Sequence, residues 1–591
     1  MSRPAIPVYA GTPMMPGQRP AAPGASAVQR MEVSDVRKRA VLEAKWRARW
    51  VLRAFGVIAL GAMAQIVHLG LFESSPPGDI ADSLLPDRGD IVDRNGVPLA
   101  RAFPAYSLWF NPKAIGDGSP LVQSPAVVAA ALQRIFPDMN LADLTARLAS
   151  GKPGYLRRRI LPDEANQIHA LGEPALEFPR ESERYYPQGS MGAHFMGYVD
   201  AEGHGQYGME QVLDRRLTDA AQRGKPTVLS IDTRVQGALE DELLRAIHDS
   251  NAAGGGAMVM DVDTGEVLGM ASLPSFDPNI PRIVAANGQK LMRNHITSET
   301  YELGSVFKPL TVASAIEAGT ITDLARRYPA NGQREVGGHV VHDDKNFGPS
   351  LDVPEALVHS SNVVLAQVGE ELGGERLGAT LRSLGFDRRA FIELPGRGMP
   401  TWPRGKWSEV TTTTIAYGHG LAVTPLHIAC AYAALVNGGV WHPATLMKLD
   451  PSQVPAGRRV FKASTSARMR QLLRLITEVG TGRSANAAGF RVGGKTGTAE
   501  IGDRNGYHKD RVITTFASAF PMDHPRYIVL ATLEEPKATT ATSGQRTAAW
   551  NAAPVVGRVV PRIGPLLGIM PDDSHDIDVS DVRPLIGGNG E

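Results

Sequence analysis

Ser305-Val-Phe-Lys308, Ser360-Ser361-Asn362 and Lys495-Thr496-Gly497-Thr498 follow one another along the chain, each too short to mean much alone. Roughly one S-x-x-K arises by chance in a chain this long. The constraint is collective, because a fold that uses all three must bring distant segments to one point. The first motif sets a hydroxyl and an amine three residues apart, one helical turn, so both project from one face. Pro309 is tolerated only near a helix start. Apolar residues recur at helical spacing from Val306 to Ala318, and Gly319 is a stop. A helix is expected from about Phe307 to Ala318, with Ser305 at or beside its N-terminus, where free N–H groups favour developing negative charge. A serine capping an ordinary core helix would have the same sequence.

The second motif adds a hydroxyl and an amide, and alone it reads equally as a polar loop or helix cap. The third adds a second amine, two Thr hydroxyls and a glycine that lets a substrate approach the backbone. Together they supply the groups of a serine acyltransferase site. The third motif also has a rival reading. Gly489-Phe-Arg-Val-Gly-Gly494-Lys495-Thr496 fits the phosphate-loop pattern G-x-x-x-x-G-K-[ST], which requires a buried strand before it and a helix after it. Here Ala485-Asn-Ala-Ala precedes it, and no apolar helical stripe follows Thr498, so nucleotide binding is disfavoured.

The chain has 591 residues, 43% of them hydrophobic, with a formal net charge of +1. That is material for two or more globular domains, without the basic footprint of a nucleic-acid partner. The single cysteine, Cys430, lies in an apolar run, so no intrachain disulfide can form. No H-x-x-x-H helix or C-x-x-C pair is present; neither a metal nor a cofactor is expected.

Residues 1 to about 30 are rich in Pro, Gly and Ala and are expected to be disordered. Arg37, Lys38, Arg39, Lys45, Arg47, Arg49 and Arg53 then precede Ala54 to Phe72, nineteen residues without a formal charge. At 1.5 Å per residue these span about 28 Å, enough to cross a hydrocarbon core. Glu73, Asp79 and Asp82 follow, an asymmetry that keeps the tail in the cytoplasm and the bulk of the chain outside it. Ala62-Met63-Ala64 imitates a cleavage site, but the apolar run continues past it, which predicts an uncleaved anchor.

Further along, Asn95-Gly96 between two short extended stretches predicts a hairpin. Ala257 to Ala271 predicts another, turned at Asp263-Thr-Gly265; Ile513–Phe520 and Tyr527–Leu533 predict a third. Helices are expected at about Pro354–Leu372, Pro425–Val436 and Ala467–Thr477. Thr424-Pro425 marks a clean start, and Asn437-Gly438 a stop.

The S-x-x-K, S-x-N, K-[ST]-G set resembles the penicillin-binding proteins and serine β-lactamases. Arg88-Gly-Asp-Ile-Val-Asp-Arg-Asn-Gly96, His194-Phe-Met-Gly-Tyr-Val199 and Tyr207-Gly-Met-Glu210 resemble the non-catalytic module of class B penicillin-binding proteins, which β-lactamases and small carboxypeptidases lack. Ala416-Tyr-Gly-His-Gly-Leu-Ala-Val-Thr-Pro425 and Gly489 to Ala499 resemble the division-type (FtsI-like) members. Thr547-Ala-Ala-Trp-Asn-Ala-Ala-Pro554 departs from them, since many carry a Gly-Gly pair there.

The resemblance implies an α+β chain. Residues 1–53 would form a basic cytoplasmic tail, 54–72 a transmembrane anchor and 73–230 a pedestal module. Residues 231–570 would form a transpeptidase domain, an antiparallel sheet covered by helices, and 571–591 a C-terminal tail. The implied activity is D,D-transpeptidation of peptidoglycan stems ending in D-Ala-D-Ala, in septal wall synthesis. An elongation-type enzyme, a β-lactam sensor or hydrolase, and a division-complex scaffold are the alternatives.

By the same resemblance Ser305 is the nucleophile and Lys308 its base, with Lys495 a nearby cation that lowers the proton affinity of Lys308. Ser360 relays a proton to the leaving nitrogen, and Asn362 holds the substrate amide. Backbone N–H groups of Ser305 and Thr498 form the oxyanion hole, while Thr496, Gly497 and Thr498 meet the terminal carboxylate. His419 is assigned a structural or rim role. Implied partners are stem peptides, β-lactams, the cytoplasmic membrane, a membrane glycosyltransferase and other division proteins. The implied location is the inner membrane, single-pass, with the catalytic domain in the periplasm.

Overall fold

The computed structural model describes residues 33–72, 87–114, 116, 121–200, 202–280, 291–503 and 506–586. The proposed disordered tail and the acidic flank Glu73, Asp79 and Asp82 lie outside them. The chain divides into two units, residues 1–83 and 84–591.

In the first unit, helix α1 runs from Val33 to Phe72 and includes the expected anchor as its C-terminal part. Phe55, Val57, Ile58, Leu60 and Met63 are all exposed. The side chains of 64–72 lie outside the described residues, and among those described no helix is long and apolar enough to cross a membrane.

The second unit opens with a sheet of β1 (Ile91–Val92), β2 (Pro98–Phe110), β3 (Gly154–Ile160), β4 (Leu176–Glu177), β5 (Arg180–Tyr185) and β6 (Thr227–Val228), with β2 as its spine. The Asn95-Gly96 turn joins β1 to β2 in antiparallel register. Asp93 closes that turn by accepting from the N–H groups of Asn95 and Val97, both at 2.8 Å. Its other oxygen accepts from Thr233 N–H at 3.1 Å, at the start of helix α2 (Thr233–Ser250). The pedestal motif is thus stitched into the next module.

In the same module, Glu210 is fully buried between two guanidinium groups, Arg88 Nε and Arg184 Nε, each donating at 2.7 Å. Arg88 also donates to Asp214 at 2.7 Å. A buried carboxylate is tolerated because it is paired this closely.

The catalytic module is built on five antiparallel strands. In spatial order these are β11 (Gly493–Asp503), β12 (Gly506–Phe520), β13 (Tyr527–Glu534), β7 (Gly254–Asp261) and β8 (Val267–Leu273). Both faces are covered, so successive residues enter different cores. Ala257, Val259, Phe516, Phe520, Val529 and Ala531 pack with α2 and with α8 (Ala552–Ile563). Met258, Met260, Ala517, Ala519, Ile528 and Leu530 join the larger cluster. That cluster also takes residues from α3 (Lys308–Glu317), α5 (Asn362–Leu372), α6 (Pro425–Val436) and α7 (Ala463–Glu478).

Helix α6 has the expected bounds, whereas α7 begins at Ala463, earlier than its apolar spacing predicts. A more consequential difference concerns Pro354–Leu372, expected as one helix. It is two, α4 (Val353–Val358) and α5, broken at Ser360, whose φ is +64°. Ser361 then caps α5, its hydroxyl accepting from Val364 N–H at 3.1 Å.

The C-terminal segment lies along α7. Val579 and Val582 are buried, and Arg474 Nη2 on α7 donates to Asp576 at 2.7 Å.

Candidate active site

Gly304–Phe307 forms a 3-10 turn that runs directly into α3. Ser305 therefore sits one turn before the regular helix and is partly exposed, whereas Lys308 is fully buried. Pro309 lies in the first turn of α3, where no intrahelical N–H bond is needed. Ser305 Oγ has no hydrogen-bond partner among the described residues.

The break between α4 and α5 turns Ser360 and Asn362 toward Lys308. Lys308 Nζ donates to Ser360 O at 2.5 Å, Asn362 Oδ1 at 2.7 Å and Ser360 Oγ at 3.1 Å. Lys495 Nζ on β11 also donates to Ser360 Oγ, at 2.9 Å, and to Thr496 O at 3.1 Å. Lys495 pairs with Ala517, and so faces the core that holds α3.

Both amines are completely buried. Burial brings Lys308 down to about 7, opposed by the charges of Asp343 and Asp344. Lys495 is held well below the usual lysine range, first by burial and then by the positive charge of Lys308. Loss of hydration is the leading cause at both groups.

The edge strand β11 lies against the turn that carries Ser305. A Cβ on Gly497 would fall 2.2 Å from Leu303 O and 3.3 Å from Val306 N, so only glycine permits this approach. An edge strand leaves alternate N–H groups unpaired by its sheet, which suits the oxyanion assignment to Ser305 and Thr498. Thr496 Oγ1 contacts Thr481 Oγ1 at 2.7 Å, and Thr498 Oγ1 accepts from Ala548 N–H at 3.1 Å. Ala548 belongs to the segment that departs from the resembled pattern, and it packs beside the third motif. Since Lys495 and Thr496 lie within a paired strand, Gly489–Thr496 has no strand–loop–helix geometry for cradling phosphate.

Asp343 was not foreseen. It follows the hairpin of β9 (Gln333–Val336) and β10 (His339–His342). Its carboxylate accepts from Asn362 N–H at 2.5 Å, Val363 N–H at 3.1 Å and Ser361 Oγ at 2.7 Å. The neighbouring His342 carbonyl accepts from Asn362 Nδ2 at 2.8 Å. This clip fixes the Asn362 amide with its oxygen toward Lys308.

Residues 255–555 match the penicillin-binding protein transpeptidase domain, and residues 83–227 match the penicillin-binding protein dimerisation domain. The chain belongs to the penicillin-binding protein family.

Among relatives of this penicillin-binding protein is the probable peptidoglycan D,D-transpeptidase FtsI of Caulobacter vibrioides. It is 37% identical over 557 residues, covering 92% of each chain. The peptidoglycan D,D-transpeptidase FtsI of Escherichia coli K12 is 30% identical over 517 residues, covering 82% of this chain and 84% of its own. Penicillin-binding protein 3 of Mycobacterium tuberculosis, solved with aztreonam, superposes with a TM-score of 0.64 at 25% identity. That match covers 84% of this penicillin-binding protein and 99% of the other chain.

Proposed function

We propose that this penicillin-binding protein is a serine D,D-transpeptidase that cross-links stem peptides ending in D-Ala-D-Ala during septal wall synthesis. The observation that carries the reading is the convergence of Lys308 and Lys495 Nζ on Ser360 Oγ, at 3.1 and 2.9 Å, beside Ser305.

In the acylation step, neutral Lys308 takes the Ser305 proton as Oγ bonds to the penultimate D-Ala carbonyl carbon. The developing oxyanion is received by the Ser305 and Thr498 N–H groups. When the C–N bond breaks, the proton passes through Ser360 to the nitrogen of the departing D-Ala. Asn362 holds the substrate amide, and Thr496, Gly497 and Thr498, in the field of Lys495, receive the terminal carboxylate. An amine of a neighbouring stem then takes the acyl group and restores Ser305.

The same reading places the protein in the cytoplasmic membrane through Ala54–Phe72, with the enzyme on the periplasmic side. It acts beside a membrane glycosyltransferase and other division proteins. Its sequence support is the uncharged span between a basic and an acidic flank.

The purified full-length chain, given lipid-linked pentapeptide substrate and a glycosyltransferase, is expected to release one D-Ala per cross-link formed. Release of D-Ala without cross-links would make it a carboxypeptidase. A fluorescent fusion is expected at midcell, and uniform wall labelling would contradict the septal role. A reporter fused after residue 80 is expected to be active only outside the cytoplasm, and activity inside it would overturn the anchor.

A further inference from the structure

The acyl-enzyme needs a neutral amine to attack it, yet an acceptor amine arrives protonated at neutral pH. Lys308 and Lys495 are both engaged with Ser360, on one side of the Ser305 turn. On another side lies the loop Tyr417–Gly420. Gly304 N–H donates to Gly418 O at 3.1 Å, and a Cβ on Gly418 would fall 1.8 Å from Gly304 O. With consecutive Cα atoms 3.8 Å apart, this contact puts the His419 and Ser305 Cα atoms within about 12 Å of each other.

The His419 ring stands against Glu302, Nδ1 to Oε2 at 3.2 Å, and packs on the Tyr417 ring at 5.5 Å. Glu302 itself lies three residues before Ser305 in the chain, just ahead of the 3-10 turn. A carboxylate only accepts, so Nδ1 carries the proton toward Glu302, and in the neutral ring Nε2 is the acceptor. Nε2 has no hydrogen-bond partner among the described residues, and the side chain is 30% exposed. An imidazole oriented by a carboxylate thus stands on a loop packed against the turn that carries Ser305, distinct from the two lysines.

Resting on the transpeptidase reading, we infer that His419, oriented by Glu302, is the base that deprotonates the acceptor ammonium, a primary amine of a neighbouring stem. His419 Nε2 takes one proton from R–NH3+ and later releases it to solvent. The amine then attacks the Ser305 ester carbonyl. As the N–C bond forms and the C–Oγ bond breaks, a second proton passes through Ser360 and Lys308 to Ser305 Oγ. A peptide bond is formed and free Ser305 is restored. The Glu302 charge also draws the cationic acceptor toward this side of the site.

The test separates the two half-reactions. Full-length wild type, His419→Gln and Glu302→Gln are acylated with a thioester donor. Capture of the acyl group by an added D-amino acid is then followed against hydrolysis, across pH. For His419→Gln, amine capture is expected to fall about a hundredfold, while penicillin acylation of Ser305 changes far less. Glu302→Gln is expected to lose capture more mildly, with its pH profile displaced.

Equal losses in acylation and capture would reduce His419 to a structural role and overturn the inference. Unchanged capture in a variant that still binds penicillin would also overturn it. Should His419→Gln fail to fold, as judged by absent penicillin adduct, an unchanged capture profile in Glu302→Gln would overturn it alone. If the wild type itself forms no adduct, the transpeptidase reading fails instead.

Discussion

Lys308 on helix α3 and Lys495 on strand β11 both donate from Nζ to one hydroxyl, Ser360 Oγ, at 3.1 and 2.9 Å. Two buried cations sharing one hydroxyl cannot both hold a proton cheaply. Lys495 lies well below the normal range and Lys308 at about 7. An amine poised near neutrality can accept a proton from Ser305 and return it, whereas an ordinary surface lysine cannot.

A pH dependence of acylation follows. Lys308 works as a base only when neutral. The rate of penicillin labelling should therefore climb about tenfold per pH unit below about 7 and level off above it. Stopped-flow labelling with a fluorescent penicillin measures this. A rate that is flat through neutrality, or falls with rising pH, would show that Lys308 titrates elsewhere.

Asp343→Asn should alter both position and charge. An amide can accept at only one atom, so part of the clip on Ser361, Asn362 and Val363 is lost, and acylation should slow about tenfold. The Asp343 charge raises Lys308. Without it Lys308 releases its proton more readily, and the midpoint of the pH profile should move to lower pH. A midpoint moving upward would contradict the placement.

The reach of the sequence can be judged on these same residues. Ser305 and Lys308 share a turn and Lys495 stands in its own short motif, so local pattern found them, whereas the strand that carries Lys495 and its pairing with Ile513–Phe520 were not read from the sequence. The Pro425–Val436 helix was bounded by its own cap and stop. The break at Ser360 was not foreseen, because apolar helical spacing continues across it and tertiary hydrogen bonds from Lys308 select the left-handed backbone. Asp343 also went unseen, being 18 residues from Ser361 with no motif of its own. Docking of the C-terminal segment on α7 was equally hidden, since its ion pairs join residues about a hundred positions apart.

Glu210→Gln should destabilise the pedestal. The change leaves Arg88 and Arg184 buried with one anionic partner fewer, and removing a member of such a buried network costs about 3–5 kcal/mol. Proteolysis under native conditions should cut the pedestal faster in the variant. Equal protection would mean that the guanidiniums find other partners.

Removal of the C-terminal segment should reach the active site indirectly. Arg474 Nη2 donates to Asp576 at 2.7 Å, and its Nη1 donates to Val492 O at 3.0 Å, just ahead of Lys495. Asp576→Ala is expected to cost about 1–3 kcal/mol and to slow acylation modestly. Thermal unfolding and penicillin labelling report the two effects. Unaltered values in both would show that Arg474 holds β11 unaided.

The most direct test is intact-protein mass spectrometry after treatment with penicillin, followed by peptide mapping. One added drug mass is expected, on the peptide containing Gly304-Ser305-Val-Phe-Lys308. It should be absent in Ser305→Ala and slowed by orders of magnitude in Lys308→Ala. An adduct that survives Ser305→Ala, or that maps to Ser360, would contradict the assignment of the nucleophile on which the mechanism rests.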